Sequence, residues 1–482
     1  MKQNWICRRL TAAAVALAVA LACAPAAFAN EDPEAVSGDT LAGAFTEPET
    51  FADTPLEEAL SLEMGSEAAV QSLPGNIADA TVRLNLWVCR GSNSNRTYQT
   101  GVSLSWRDAL AGILNAEVGG FYSAGVSQDA VKEAWIAQAV AIHSYLLYNG
   151  CSTNQSTSEF WLQADESTPQ GRLLYAAADA ALHYLAVTGQ GADPENYSMA
   201  LTSYFASAGY NPDTGRRGTA SCRDVWQQDL GYLVGVESPY DEEFCQKMGL
   251  TWEHSRYNYT RWEELSGELR RLYGADISAY QSRKDASALQ VTGRSTYGYA
   301  THTGLRAGDL SGQDGQKLYT AFRGTNWTVG LASGSYKIEY IPGHMENESG
   351  LGTVEEPWHL VAYGSGHGVG LSQVGALGYA ANGWSAWQIL AHYYQGVRLY
   401  NTDDGEIYIP SESSRQLVRA VPQATGDANE DGSVDLLDVL TLSGALSGRI
   451  TLSRTAADLA DLNGSGAPDQ GDLTALVNLL LQ

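Results

Sequence analysis

Asp427-Ala428-Asn429-Glu430-Asp431-Gly432-Ser433-Val434-Asp435-Leu436-Leu437-Asp438 places oxygen-bearing side chains at positions 1, 3, 5, 9 and 12 of a twelve-residue loop, with glycine at position 6. Asp461-Leu462-Asn463-Gly464-Ser465-Gly466-Ala467-Pro468-Asp469-Gln470-Gly471-Asp472 repeats the pattern. A calcium loop needs alternating oxygen ligands, a backbone carbonyl at position 7 and a glycine at position 6 for the tight turn. The expected ligands are Asp427, Asn429, Asp431, Ser433 (carbonyl), Asp435 and Asp438, then Asp461, Asn463, Ser465, Ala467 (carbonyl), Asp469 and Asp472. Each loop runs into an apolar helix, neither has a proper helix in front of it, and each closes on Asp rather than Glu. The bland alternative is an acidic, Gly-rich tail. Ser465 is a weaker ligand than the Asp431 it replaces, and Pro468 lacks an N–H that would bridge paired loops. The second loop is therefore expected to hold Ca2+ less tightly.

The other end of the chain bears on its destination. Lys2, Arg8 and Arg9 precede an uninterrupted run of small apolar residues from Thr11 to Cys23, and Ala27-Phe28-Ala29 offers a small-x-small cleavage site. Residues 1–29 read as a secretory signal peptide, too short in its apolar part to span a membrane, with a lipoprotein anchor at Cys23 as the alternative. Residues 30–78 are acidic, rich in Ala, Gly, Thr and Pro, and lack a sustained period, as a flexible spacer does. The 29 Lys and Arg against 55 Asp and Glu give a formal charge of −26, which argues against nucleic-acid or anionic-membrane binding. Export leaves Cys89, Cys151, Cys222 and Cys245, which allow three pairings. Cys222–Cys245 closes the shortest loop and is the preferred disulfide; a zinc site with His143 and Cys151 has no supporting spacing.

Between these ends, residues 79–404 are expected to form one α+β domain, followed by a linker over 405–425 and a small all-α calcium-binding unit over 426–482. Thr81–Val88 alternates as a strand does. Ser105-x-x-Asp108 opens a helix, and a second runs from about Gln128 to Tyr148, stopping at Asn149-Gly150. A charged helix is expected around Trp262–Tyr273, and strands at Ala288–Val291 and Ser335–Tyr340. An apolar strand at Trp358–Tyr363 leads through a Gly-rich loop into a helix ending at Asn382-Gly383. Another helix runs from Ser385-x-x-Gln388 to Gly396. The abundant Trp and Tyr suit sugar stacking, although most belong in a core.

On the helix from Ser105, Trp106, Leu110, Ile113, Leu114 and Glu117 share one stripe, so a carboxylate lies on an apolar line. Held in a cleft, such a group tends to the protonated form that a sugar-cleaving acid requires; a helix-end Glu that snorkels to water is the other reading. Gly364-Ser365-Gly366-His367-Gly368-Val369-Gly370-Leu371-Ser372-Gln373 has the setting of a dinucleotide loop. Its GxGxG spacing and the missing acidic residue about twenty positions on speak against that. It reads instead as a loop whose glycines let backbone N–H groups approach a ligand, with His367, Ser372 and Gln373 as polar contacts.

Two resemblances follow. The paired loop-helix units of Gly426–Gln482 resemble a type I dockerin, which implies docking to a cohesin module on a scaffolding protein. Partner choice would rest on Leu436 and Leu437, then Gln470 and Gly471, two unlike pairs that argue against symmetric docking. Gly366–Ala376 with Ile389–Gly396, and upstream Ala111–Glu117, Ala137–Ala141, Asp224-Val225-Trp226, Tyr232-Leu233 and Ser238-Pro239-Tyr240, resemble the SpoIID/LytB family in order. That family includes peptidoglycan lytic transglycosylases and amidase enhancers. The resemblance implies a β scaffold with groove-lining helices. It makes Glu117 the acid that protonates the bond between N-acetylmuramic acid and N-acetylglucosamine and then draws the proton from the C6 hydroxyl, giving a 1,6-anhydro product without a catalytic cofactor. It adds Ser207 to His367, Ser372 and Gln373 as substrate contacts. The chain departs from the pattern in three places. Val118-Gly119 follows the Glu in place of Met-Pro, Ile142-His143-Ser144-Tyr145 loses an arginine, and Phe205-Ala206-Ser207-Ala208-Gly209 loses a histidine. An exported, scaffold- or surface-associated enzyme on peptidoglycan glycan strands is the expectation. A non-catalytic wall-binding or enhancer protein, or an enzyme on another amino-sugar polymer, stands as the alternative.

Overall fold

The computed structural model describes residues 80–91, 95–150, 156–258, 291–304, 331–340, 358–420 and 425–481, with a few short pieces between them. The leader, the acidic spacer, Cys151 and most of the helix expected around Trp262–Tyr273 lie outside the described residues.

Strand β1 (Thr81–Cys89) buries Val82, Leu84 and Leu86 completely on one face, as its alternation requires. It pairs antiparallel with β2 (Arg96–Ser105) and parallel with β3 (Ser156–Leu162). Ser105 ends β2 and caps α1 (Trp106–Val118), its hydroxyl accepting from Asp108 N–H at 3.0 Å. Helix α2 (Gln128–Tyr148) is capped by Ser127 and buried almost all round from Ala134 to Leu147. Its alanines at 137, 139 and 141 are fully buried, and such small side chains let neighbouring helices approach on several sides. Helices α1, α3 (Pro169–Ala181), α5 (Gln373–Ala381) and α6 (Ala386–Tyr393) all pack on it. Each large apolar side chain so buried contributes about 1.5–3 kcal/mol, which makes α2 the centre of the core.

Most sheet pairing is antiparallel. Tyr336–Tyr340, Trp358–Tyr363 and Glu253–Asn258 form a three-stranded sheet. A five-stranded sheet runs in the order Ser414–Arg419, Ile407–Ser411, Arg398–Asn401, Tyr184–Gly189, Tyr197–Met199. Its first two strands fall in the stretch expected to be linker, so the ordered domain continues past residue 404 to about Ala420. Ile407 is fully buried and supplies the apolar contact that a linker reading leaves out.

Two further expectations change. Cys222 and Cys245 are not bonded to each other: both are buried free thiols. Cys222 Sγ lies 3.2 Å from Gln228 O and accepts from Leu230 N–H at 3.3 Å, closing a local turn. Burial, the largest cause, pushes the Cys245 thiol well up. The helix from Ser385 ends at Tyr393, with its capping box in place.

The C-terminal unit has its own small core of Ala428, Leu442, Ala460 and Leu476. It consists of α7 (Leu436–Leu446), α8 (Arg454–Ala460) and α9 (Gln470–Leu480). Contrary to expectation, α8 stands directly in front of the second loop, because Ser453 caps it through Ala456 N–H at 2.9 Å. Among the described residues, no helix is long and apolar enough to cross a membrane.

Candidate active site and calcium loops

Glu117 lies one residue from the end of α1 and is only 2% exposed, so it does not snorkel to water. The indole of Trp135 on α2 donates to Val118 O at 2.9 Å and fixes this helix end against the core. Gln373, the first residue of α5 and equally buried, donates its side-chain amide to Glu117 Oε2 at 3.1 Å. A stripe position near one helix end and a loop residue far along the chain thus meet as a hydrogen-bonded pair.

The Gly-rich loop holds α5 in place. Gly368 and Gly370 have φ of 86° and 84°, and a Cβ on them would lie 2.1 Å from the Tyr299 ring and 2.0 Å from Ser203 O. Only glycine fits both positions. The loop is stitched to the chain on either side. Leu371 N–H donates to Ser203 O, Val374 N–H to Ala206 O, and Ala220 N–H to Gly368 O. Leu371-Ser372 pairs parallel with Tyr204-Phe205.

Below this loop sits Asp241, the first residue of α4 (Asp241–Lys247), with no exposure. Its carboxylate accepts from Ala208 N–H at 2.6 Å, from Ser238 Oγ at 2.5 Å and from Ser372 Oγ. Tyr393 Oη lies 2.7 Å from Ser238 Oγ and extends the chain of hydroxyls. Desolvation raises the Asp241 pKa, and these hydrogen bonds oppose it. Asp241 carried no sequence expectation; its one signal was its place next to Ser238-Pro239-Tyr240.

The other expected contacts are placed differently from Gln373. Ser372 is fully buried. Its hydroxyl accepts from Gly375 N–H at 3.1 Å, capping α5, and spends its one proton on Asp241, so it has no proton left to donate to a ligand. His367 is 1% exposed, accepts from Val369 N–H on Nδ1 at 3.0 Å, and packs between the rings of Phe205 and Trp226. Ser207 pairs its backbone both ways with Ser365, and its hydroxyl reaches the Cys245 thiol. His143, in place of the family's arginine, is fully buried against the ring of Trp106. Burial holds its pKa down at about 3, so it supplies no charge there.

A cavity of about 430 Å3 opens beside the end of α1, lined by Cys89, Arg90, Asn115, Trp161 and Gln163 among others. Asn115 reaches across to Leu162 O and Gln163 O, both at 3.3 Å.

In the first candidate calcium loop, Asp427 accepts from Asp431 N–H and Gly432 N–H, and Asp438 from Asn429 N–H and Asp435 N–H. Asp427 and Asp438 are fully buried. Desolvation and, more weakly, the Asp438 and Asp431 carboxylates raise the Asp427 pKa against its backbone hydrogen bonds. Among the described residues no three acidic, His or Cys side chains converge as a ready cage; the carboxylates face the loop's own amides. Even so, the expected donor set consists wholly of oxygens, with Asp427 and Asp438 buried, Asp431 and Asp435 exposed, and Asp427 under the like charge of Asp438 and Asp431, which fits a hard divalent cation. In the second loop, the Ser465 hydroxyl donates to Ala467 O at 3.0 Å, so positions 5 and 7 engage each other.

The comparisons with known proteins fall on these two regions. Residues 425–481 match the Dockerin type I domain, a type of domain that binds calcium. The chain is 26% identical over 210 residues to stage II sporulation protein D of Bacillus amyloliquefaciens, a match covering 43% of this chain and 47% of that protein. The chain thus spans about half the length of this curated relative. It combines a body similar to stage II sporulation protein D with a C-terminal segment that matches the type I dockerin domain.

Proposed function

We propose that the protein is an exported lytic transglycosylase that cleaves peptidoglycan glycan strands while docked, through its C-terminal unit, to a cohesin module of a scaffold. The observation that carries the reading is the buried Glu117–Gln373 pair, formed by the two stretches that resemble the family most closely. Glu117 protonates the glycosidic oxygen between N-acetylmuramic acid and N-acetylglucosamine and the bond to C1 breaks. As carboxylate it then takes the proton from the C6 hydroxyl as O6 closes on C1. One group serves as acid and then base, so the second carboxylate of a glycoside hydrolase is not required. Gln373 fixes the orientation of that carboxylate, and Asp241 with Ser372 holds the start of α5 from which Gln373 projects.

In the docking unit, Asp427, Asn429, Asp431, Asp435 and Asp438 with the Ser433 carbonyl would hold one Ca2+. Asp461, Asn463, Ser465, Asp469 and Asp472 with the Ala467 carbonyl would hold another, more weakly. Calcium supplies the positive charge that offsets the crowded carboxylates and ties each loop to its helix. Incubating peptide-free wall glycan with the wild type and with Glu117→Gln tests the catalytic reading. Anhydromuramoyl products should appear by mass spectrometry with the wild type alone. No product from the wild type leaves a wall-binding protein, and product from the variant removes Glu117 from the role.

A further inference from the structure

The outer face of β1–β2–β3 carries a group of side chains that the proposed chemistry does not use. Antiparallel register sets Trp87 opposite Tyr98 and Cys89 opposite Arg96, and parallel register sets Trp87 opposite Phe160. The Trp87 and Tyr98 rings lie 5.3 Å apart at 56°. The Arg96 guanidinium is 5.5 Å from the Trp87 ring centre and 5.1 Å from that of Phe160, where aromatic faces hold it in place. Tyr98 is 43% exposed, in contrast to the buried tyrosines of the core. Among the described residues no carboxylate forms an ion pair with Arg96.

This face runs into the cavity at the end of α1. Cys89, packed with Trp87, Ala116 and Phe160, also lines that cavity, as do Arg90 and Trp161. The Cys89 thiol is pushed up to about 11, mainly by burial, with Arg96 lowering it and Glu117 raising it. Arg96 sits opposite Cys89 in the sheet, and Cys89 packs on Ala116, the residue before Glu117. A chain with 29 basic against 55 acidic residues thus sets Arg90 and Arg96 beside the end of α1 that carries its candidate acid. Aromatic faces carry negative potential and suit the C–H face of a pyranose ring, while arginine pairs with carboxylates.

We propose that Trp87, Tyr98 and Arg96, continued by Arg90 and Trp161 in the cavity, form an extended subsite for an anionic amino-sugar strand. Its sugar rings lie along exposed Tyr98 and the half-buried Trp87 and Trp161, and its lactyl carboxylates on the two arginines. The assignment rests on the glycan reading above and names which part of the strand is held and how. The sandwiched arginine supplies a fixed positive charge on this face, beside the end of α1 that carries the acid.

The full chain carrying Glu117→Gln, which stops turnover, is titrated with peptide-free wall glycan and with neutral N-acetylglucosamine oligomers of matched length. Calorimetry should show the acidic strand binding about tenfold or more tighter at low salt, the difference fading as salt rises. Adding Tyr98→Ala should weaken both ligands several-fold, and its exposure leaves the fold intact. Adding Arg96→Gln should abolish the preference for the acidic strand, whereas Arg96→Lys should keep part of it. Equal affinity for the two ligands, absence of binding, or affinities unmoved by both Tyr98→Ala and Arg96→Gln overturns the subsite. Each of those results can coexist with anhydro product from the wild type, so this proposal and the catalytic one fail separately.

Discussion

Gln373 donates its amide to the Glu117 carboxylate at 3.1 Å across 256 residues of chain, with both side chains almost completely buried. A buried carboxylate held by a directed amide donor is oriented at a cost in desolvation, an arrangement better suited to chemistry than to stability. Gln373→Ala should lower kcat on wall glycan about tenfold with little change in KM, the signature of lost positioning. Steady-state kinetics on defined strands decide this; a raised KM at constant kcat would make Gln373 a binding residue instead.

Asp241 gathers Ala208 N–H, Ser238 and Ser372 beneath the Gly-rich loop. Asp241→Ala leaves these donors without an acceptor and should cost about 3 kcal/mol, with Asp241→Asn costing less. The folded pKa of Asp241 is raised, chiefly by desolvation. Its contribution is therefore present below the ordinary carboxylate value and lost as pH rises through the raised one. The stability gap between wild type and Asp241→Asn should be larger at about pH 5 than at about pH 8 in urea titrations. A gap that widens with pH contradicts this.

His143 titrates the other way. Its pKa is held down at about 3 by burial, so the folded state keeps it neutral. Its contribution is intact above the ordinary imidazole value and is lost as pH falls from there toward about 3. His143→Phe should flatten the acid limb of the stability profile by up to about 1.4 kcal/mol per pH unit. Thermal unfolding from neutral to mildly acidic buffer checks this, and an unchanged limb would place the acid sensitivity elsewhere.

The docking unit should respond to metal. Chelation is expected to reduce the helical signal of α7 to α9 while leaving that of the larger domain, which has its own core. Calorimetry should resolve two unequal Ca2+ sites, and Ser465→Asp should tighten the weaker one about tenfold by adding a carboxylate at position 5. Two equal sites in the wild type would show that Ser465 and Pro468 do not matter.

Much of this was legible locally. The Ser105 cap, the span of α2 and its stop at Asn149, the strand into the Gly-rich loop and the capping box of α6 follow from side chains a few residues apart. So do the two acidic loops, whose oxygen-bearing side chains lie within twelve residues of one another. The errors share a cause. Residues 405–419 are polar and lack a long period, yet Ile407 finds a place beside Arg398–Asn401. Cys222 is satisfied by the backbone of its own turn rather than by Cys245. Helix α8 exists because Ser453 caps it and Ala460 reaches the small core, which its weak period does not reveal.

For function, the sequence by itself determined which side chains have the right chemistry: the loop oxygens, a carboxylate on an apolar stripe, and a glycine loop that opens a helix. Only the tertiary structure decided which of them meet. It turned Ser372 down to Asp241 and enclosed His367 among rings, but aimed Gln373 at Glu117. The physical reason is that burial and hydrogen-bond pairing are set by neighbours hundreds of residues away. A sequence pattern records what a side chain can do, and packing settles which partner receives its one proton or lone pair.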